Sequence, residues 1–176
     1  MKGHNRSGAD RRSFLDHTYN RKMTIIKKQF VPLVSNEVID SFEKELGYQL
    51  PTTYRNFLSE YNGGEPFNCG VISSDGFYAD VSIRYFFSVS QDPTFGLAHK
   101  YAIYSGAGRT PREMLPVGGD VGGNLVLLAL AGPQLGSVFF WDHDIEGLVD
   151  DPNSPRHLRI LADTFDGFIA GLSPTT

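Results

Sequence analysis

The sequence predicts an α+β fold in a single domain, with an N-terminal helical hairpin, a central mostly antiparallel sheet and a C-terminal helix packed on it. Three observations predict it. Apolar residues recur at helical spacing in two segments between residues 35 and 64. From Phe67 onward they gather instead into short aromatic and β-branched runs separated by Gly, Asp and Pro. A last helical stripe follows Asp163. Helices, then consecutive strands, then a closing helix describe segregated α and β layers rather than alternating βα units.

The first helix is read from "SNEVIDSFEKELG" (residues 35–47), where Val38, Phe42 and Leu46 fall at i, i+4 and i+8. Ser35 or Asn36 caps its start, Glu37 favours the positive end of its dipole, and Gly47 suits the left-handed position that ends it. In "LPTTYRNFLSEYNGG" (residues 50–64), Pro51 suits a first helical turn. Tyr54, Phe57, Leu58 and Tyr61 form one apolar stripe, and Asn62, Gly63 and Gly64 stop it. So short a connection makes the two helices a hairpin.

The strands are read from "FNCGVIS" and "YFFSVS". "PTFGLAHKYAIYS" is a helix with Leu97, Tyr101 and Tyr104 inward, and "MLPVGG" leads into a turn. "NLVLLALA" is a buried strand joined through "GPQLG" to its hairpin partner "SVFFWDHD", which places Trp141 in the core. "DDPNSP" is a loop, "HLRILA" the last strand, and "DTFDGFIAGL" the last helix, capped by Asp163 with Phe165, Phe168, Ile169 and Leu172 inward.

The 176 residues, 40% hydrophobic and 20% charged, suit one soluble domain with a real core. No apolar run approaches the roughly 18 residues that span a bilayer, and the N-terminus lacks the apolar centre of a signal peptide. The expected location is the cytoplasm, with no membrane partner. Cys69 is the single cysteine, so an internal disulfide and a thiolate zinc cluster are excluded; it reads as a small apolar filler rather than a nucleophile.

Charge is uneven. Residues 1–30 carry eight basic and two acidic side chains, a net +6; the remaining 146 carry eight basic and eighteen acidic, a net −10. Residues 1–22 show no periodicity and are expected to be a disordered basic tail, dispensable for the fold, before a domain over residues 23–176. Met23 opens the first segment with packing potential and is a candidate start. An acidic domain argues against nucleic acid as its ligand and for a basic protein partner.

Two stretches invite a chemical reading. "GGDVGGN" (residues 118–124) is rich in glycine, yet no Lys-Ser/Thr pair or helix follows it, and Asp120 would repel phosphate. It reads as a turn needing positive φ at Gly118, Gly119, Gly122 or Gly123, with Asp120 and Asn124 bonding local backbone. In "WDHDIEG" (residues 141–147), Asp142, His143 and Asp144 are metal-ligand types, and with Asp120 they define a metal-dependent hydrolase as an alternative. On a strand only Asp142 and Asp144 would converge, and no spaced second histidine joins them. His99 and His157 have no nearby Ser, Cys or Glu arranged as a triad. The expectation is a protein with no catalytic residues, no cofactor and no metal.

The segment "IDSFEKELGYQLPTTYRNFLSEYNGGEP" resembles the opening signature of the SUKH superfamily, which takes in the yeast cell-wall regulator (Smi/Knr) type proteins. The matches are Phe42, Glu43, Leu46, Gly47, Leu50, Pro51, Tyr54, Phe57, Leu58, Asn62, Gly63 and Gly64. Pro116, Gly118, Asp120, Gly123 and Asn124, then Val138, Phe140, Trp141, Asp142, His143 and Asp144, are similar to its second half, and "LADTFDGFIAGL" to its end. The likeness covers about residues 35–172 and leaves out the tail and the insert "YSGAGRTPREM" (residues 104–114). It implies an α+β fold without enzymatic activity. Most bacterial members look like immunity proteins that bind and block a cognate toxin, often a nuclease; fungal members look like regulatory adaptors, which is the alternative here. A basic nuclease-like partner would meet the acidic turns, and the expected partner-binding residues are Asp120, Asp144, Glu146, Asp150 and Asp151. Oligomeric state is left open.

Overall fold

A computed structural model of the chain describes residues 25–67, 70, 82–145 and 158–173. The tail, Cys69, His157, the acidic residues Glu146, Asp150 and Asp151, and most of "FNCGVIS" lie outside them. Helix α1 (Asn36–Leu46) and helix α2 (Thr52–Tyr61) form the expected hairpin. In α1 the buried stripe is Ile39, Phe42 and Leu46, at i, i+3 and i+7, while Val38 is 44% exposed. Phe42 and Leu46 face inward as expected, and only the first position differs, where Ile39 rather than Val38 is buried. Ser35 is its N-cap but makes no side-chain bond to the backbone, and Gly47 closes it at φ 78°. In α2 Pro51 is the N-cap, one position earlier than expected, and Tyr54, Phe57 and Leu58 are buried.

Glu43 explains why the hairpin has its geometry. Its Oε1 accepts the Leu50 backbone N–H at 2.7 Å, and its Oε2 accepts from Arg55 Nη1 on α2. Arg55 Nη2 also donates to Asp40 Oδ1 at 2.7 Å. One carboxylate thus satisfies a turn amide and anchors the second helix to the first, the geometry in which ionic hydrogen bonds are strongest.

Strand β1 (Ile26–Lys28) pairs antiparallel with β2 (Glu65–Pro66) in a small ribbon. Ile26 is buried, in the segment after Met23 that has packing potential but shows no strand periodicity. The main sheet has five strands in sequence order: β3 (Tyr85–Phe86), β4 (Met114–Gly119), β5 (Leu125–Ala129), β6 (Val138–Trp141) and β7 (Leu158–Ala162), each pair antiparallel. "MLPVGG" does lead into a turn, but it is itself a strand. Pro116 fits inside it because a bulge separates Pro116 and Gly118, where a missing N–H is tolerated. Gly118 and Gly119 lie in this strand, not at positive φ. A Cβ on Gly118 would sit 2.8 Å from the Tyr85 carbonyl oxygen, so glycine there permits the close approach of β3.

Every residue of β4, β5 and β6 is buried, so both faces of the sheet are covered. Helix α4 (Phe165–Ala170) contributes Phe165 and Phe168 to an aromatic cluster with Tyr54, Phe57 and Phe86. Its N-cap is Thr164, whose hydroxyl accepts the Gly167 N–H at 3.1 Å, not Asp163. The short helix α3 (Leu97–Ile103) buries Leu97, with Tyr101 and Tyr104 half-buried. The segment that follows is tied down by the buried pair Ser105 and Thr110, 2.8 Å apart, with Ser105 also donating to the Met114 carbonyl. Tyr104 meets the Trp141 ring edge-on at 5.7 Å, and the Arg109 guanidinium lies 4.4 Å from the Tyr104 ring centroid.

A single corner joins these layers. Asn62 ends α2 at φ 48° and is buried. Its Nδ2 donates to the carbonyls of Pro32 (2.8 Å) and Val89 (3.3 Å), and its Oδ1 accepts the Val89 N–H at 2.8 Å. Gly63 follows at φ 78°, and a Cβ there would lie 2.5 Å from the Phe87 oxygen. Gly64 exchanges backbone bonds with Phe86, which hooks the β1–β2 ribbon onto β3.

Trp141 and Tyr54 are fully buried, and their Nε1 and hydroxyl find no hydrogen-bond partner among the described residues. Burial pushes the Tyr54 phenol well above its ordinary value. Trp141→Ala is expected to lower unfolding free energy by about 3–5 kcal/mol, as for other large aromatic core truncations. Trp141→Phe should cost clearly less, because it keeps the ring and removes an unpaired N–H. Urea unfolding of both variants checks this; equal losses would contradict it.

Candidate functional site

One end of the main sheet gathers the chemically suggestive residues. The β4–β5 connection runs Asp120–Asn124, and β6 ends beside it in a 3₁₀ turn over His143–Ile145. A two-sided clasp holds the first turn. Asp120 Oδ1 accepts the Asn124 backbone N–H at 2.9 Å, and Oδ2 accepts Asn124 Nδ2 at 2.7 Å. The Asp120 N–H donates back to the Asn124 carbonyl at 3.2 Å. The Tyr85 hydroxyl donates to the Asp120 carbonyl at 3.1 Å. Burial raises the Tyr85 phenol above its ordinary value, and the nearby Asp120 charge adds to the shift. Asp120 and Asn124 bond local backbone as the residue types predict. Of the four glycines, Gly123 alone has positive φ, at 101°.

Asn124 then reaches the second turn. With Nδ2 turned to Asp120, its Oδ1 accepts both the His143 backbone N–H (3.0 Å) and the ring Nδ1–H (2.9 Å). The His143 ring packs against Gly123, where a Cβ would lie 3.6 Å from it. This arrangement leaves His143 Nε2 facing Asp144 Oδ1 at 3.1 Å. Asp142 Oδ1 accepts the Asp144 N–H at 3.0 Å and so caps the 3₁₀ turn. The strand ends at Trp141, so the alternation that would separate neighbouring side chains no longer applies. Asp142, His143 and Asp144 place one ligand-type atom each within 4.8 Å of one another, where strand geometry predicted two at most.

Of the expected partner-binding residues, Asp120 is half-buried with both carboxylate oxygens engaged by Asn124. Asp144 is open to solvent, its side chain 78% exposed. Asp120 does not join the Asp142–His143–Asp144 group as a ligand, since its oxygens serve the clasp. His99 is exposed on α3. The Asn124–His143 link was not legible in sequence, because nineteen residues separate the two and only the strand register aligns them.

Three donors on one surface turn, two of them already in hydrogen bonds, fall short of the four or more that a divalent ion usually takes. Elemental analysis of the purified protein is expected to find well under one zinc or manganese per chain, with melting unchanged by chelator. A stoichiometric metal lost in His143→Ala would contradict this.

Comparison with known proteins agrees with this geometry. A family model described as the SMI1 / KNR4 family (SUKH-1) matches residues 33–171, from just before α1 to the end of α4. The chain is similar to the SPbeta prophage-derived uncharacterized protein YokK of Bacillus subtilis (strain 168), at 24% identity over 173 residues covering 86% of this chain and 81% of the relative. The match spans the Glu43-linked hairpin, the Asn-Gly-Gly corner and the Asp120–Asn124–His143 clasp together, and the chain belongs to the SMI1/KNR4 family (SUKH-1).

Proposed function

We propose that the chain is a non-enzymatic protein-binding domain, an immunity protein that neutralises a cognate toxin by binding it. The observation that carries this reading is where the polar motif residues direct their bonds. Glu43 serves Leu50 and Arg55, Asn62 serves Pro32 and Val89, Asp120 serves Asn124, and Asn124 serves His143. Groups satisfied inside the chain maintain the fold and are not poised to move a proton on a substrate. What remains outward is charge: the chain from residue 31 carries a net −10. The prophage origin of the Bacillus subtilis relative is in keeping with a gene carried for defence.

The proposed contact surface is acidic and includes Asp144, with Glu146, Asp150 and Asp151 following it in the chain. A nuclease toxin presents Lys and Arg around its active site to hold phosphates, and an acidic face would be steered to it. The protein would act in the cytoplasm, where such a toxin does its damage.

The direct test is co-expression with the toxin domain encoded beside the gene, scored by survival. With that domain purified, association should slow steeply from low to physiological ionic strength, where the screening length is about 8 Å. Neutralising Asp144, Glu146, Asp150 and Asp151 together should slow association about tenfold or more and leave melting nearly unchanged. An acidic toxin domain, or a rate indifferent to salt and to these substitutions, would contradict the reading.

A further inference from the structure

Val121, at the tip of the β4–β5 turn, is not part of the core among the described residues. It is 85% exposed, the highest exposure among the large hydrophobic residues described. Turn positions normally go to Gly, Asn, Asp or Ser, each of which helps the backbone bend; a β-branched side chain does not. The residues on either side supply everything the turn needs. Asp120 and Asn124 close it with three hydrogen bonds, Tyr85 anchors it from β3, and Gly123 provides the positive φ.

The turn is also braced from the side. Asn124 holds His143, whose ring lies against Gly123, so the second turn buttresses the first. An apolar side chain on so constrained a tip has little conformational entropy to lose on being covered, which is the condition for a strong contact. The same His143 holds the exposed Asp144 3.1 Å from its Nε2, so the turn and an open carboxylate share one end of the sheet. An apolar anchor with carboxylates at the same end of the sheet fits an interface centre with a charged rim.

We propose that the Asp120–Asn124 turn is a preformed apolar finger, and that Val121 enters an apolar pocket rimmed by basic side chains on the partner protein. The proposal rests on the binding function above and adds which point of the surface anchors the complex. Its occupant is a basic protein surface, chosen by charge complementarity with Asp142 and Asp144 and with the net −10 from residue 31. The finger and the rim act on different steps. Carboxylates steer the approach and set the association rate, while a buried anchor sets how long the complex lasts.

The test measures binding of the full chain to the purified toxin domain encoded beside its gene. Val121→Ser is compared with Leu135→Ser. Leu135 is also an exposed apolar turn residue, 58% exposed, but it lies in the β5–β6 connection at the opposite end of the sheet. Val121→Ser should weaken binding about 30-fold or more, almost wholly through faster dissociation, as for a buried interface anchor. Its melting temperature and salt dependence of association should match the parent, and Leu135→Ser should bind like the parent. Equal affinity of Val121→Ser and parent overturns the finger while leaving the binding function standing. A parent chain that does not bind the toxin domain overturns both. Self-association of the parent that Val121→Ser abolishes makes the occupant a second copy and also overturns the proposal.

Discussion

The side-chain amide of Asn62 is the contact on which the rest of the arrangement depends. Helix α2 must stop there in a left-handed residue, and the chain must then pass between α2 and β3 with almost no space. Asn tolerates that conformation better than most residues. Its amide also bonds the segment that leads into α1, through Pro32, and the segment that leaves β3, through Val89. Gly63 and Gly64 follow because backbone oxygens of Phe87 and Lys28 would lie within 2.5 Å of any Cβ there. The hairpin, the ribbon and the main sheet therefore take their mutual placement from three consecutive residues.

The opposite constraint operates at the far end of β4 and β5. There the Asp120–Asn124–His143 chain of bonds fixes two turns against each other across two strands. Strand register makes this contact, since Leu125 pairs with Trp141 and so brings Asn124 beside the residues after Trp141. A buried, rigid sheet can thus present a small exposed surface in a defined shape. Asp120 and Asp142 make the bonds that build this end, whereas Val121 owes its position to bonds made by its neighbours.

Much of this was legible from particular residues. The α2 stripe, the β5–β6 hairpin, Trp141 in the core and the Asp120–Asn124 bonding all followed from periodicity and turn chemistry. The errors have physical causes. Val38 lies four residues before Phe42 and Ile39 three, both spacings that share a helix face, and only packing decides between them. The β4 strand was hidden by Pro116 and its glycines, which read as turn signals but here mark a bulge and the close approach of β3. Strand β1 is three residues long and pairs with residues nearly forty positions away, so no local pattern announces it. The His143–Asn124 bond and the convergence of Asp142, His143 and Asp144 depend on strand register and on where β6 ends.

The central claim is tested most directly by the unfolding free energy of Asn62→Gly. Glycine accepts the left-handed backbone at this position, so the substitution removes the amide without adding strain. Loss of three bonds, with the half-buried Val89 N–H and C=O losing their partner inside the corner, predicts a destabilisation of about 2–4 kcal/mol. A change of less than about 1 kcal/mol, within the ordinary cost of a glycine, would show that the layers are held in place by packing alone and would contradict the account.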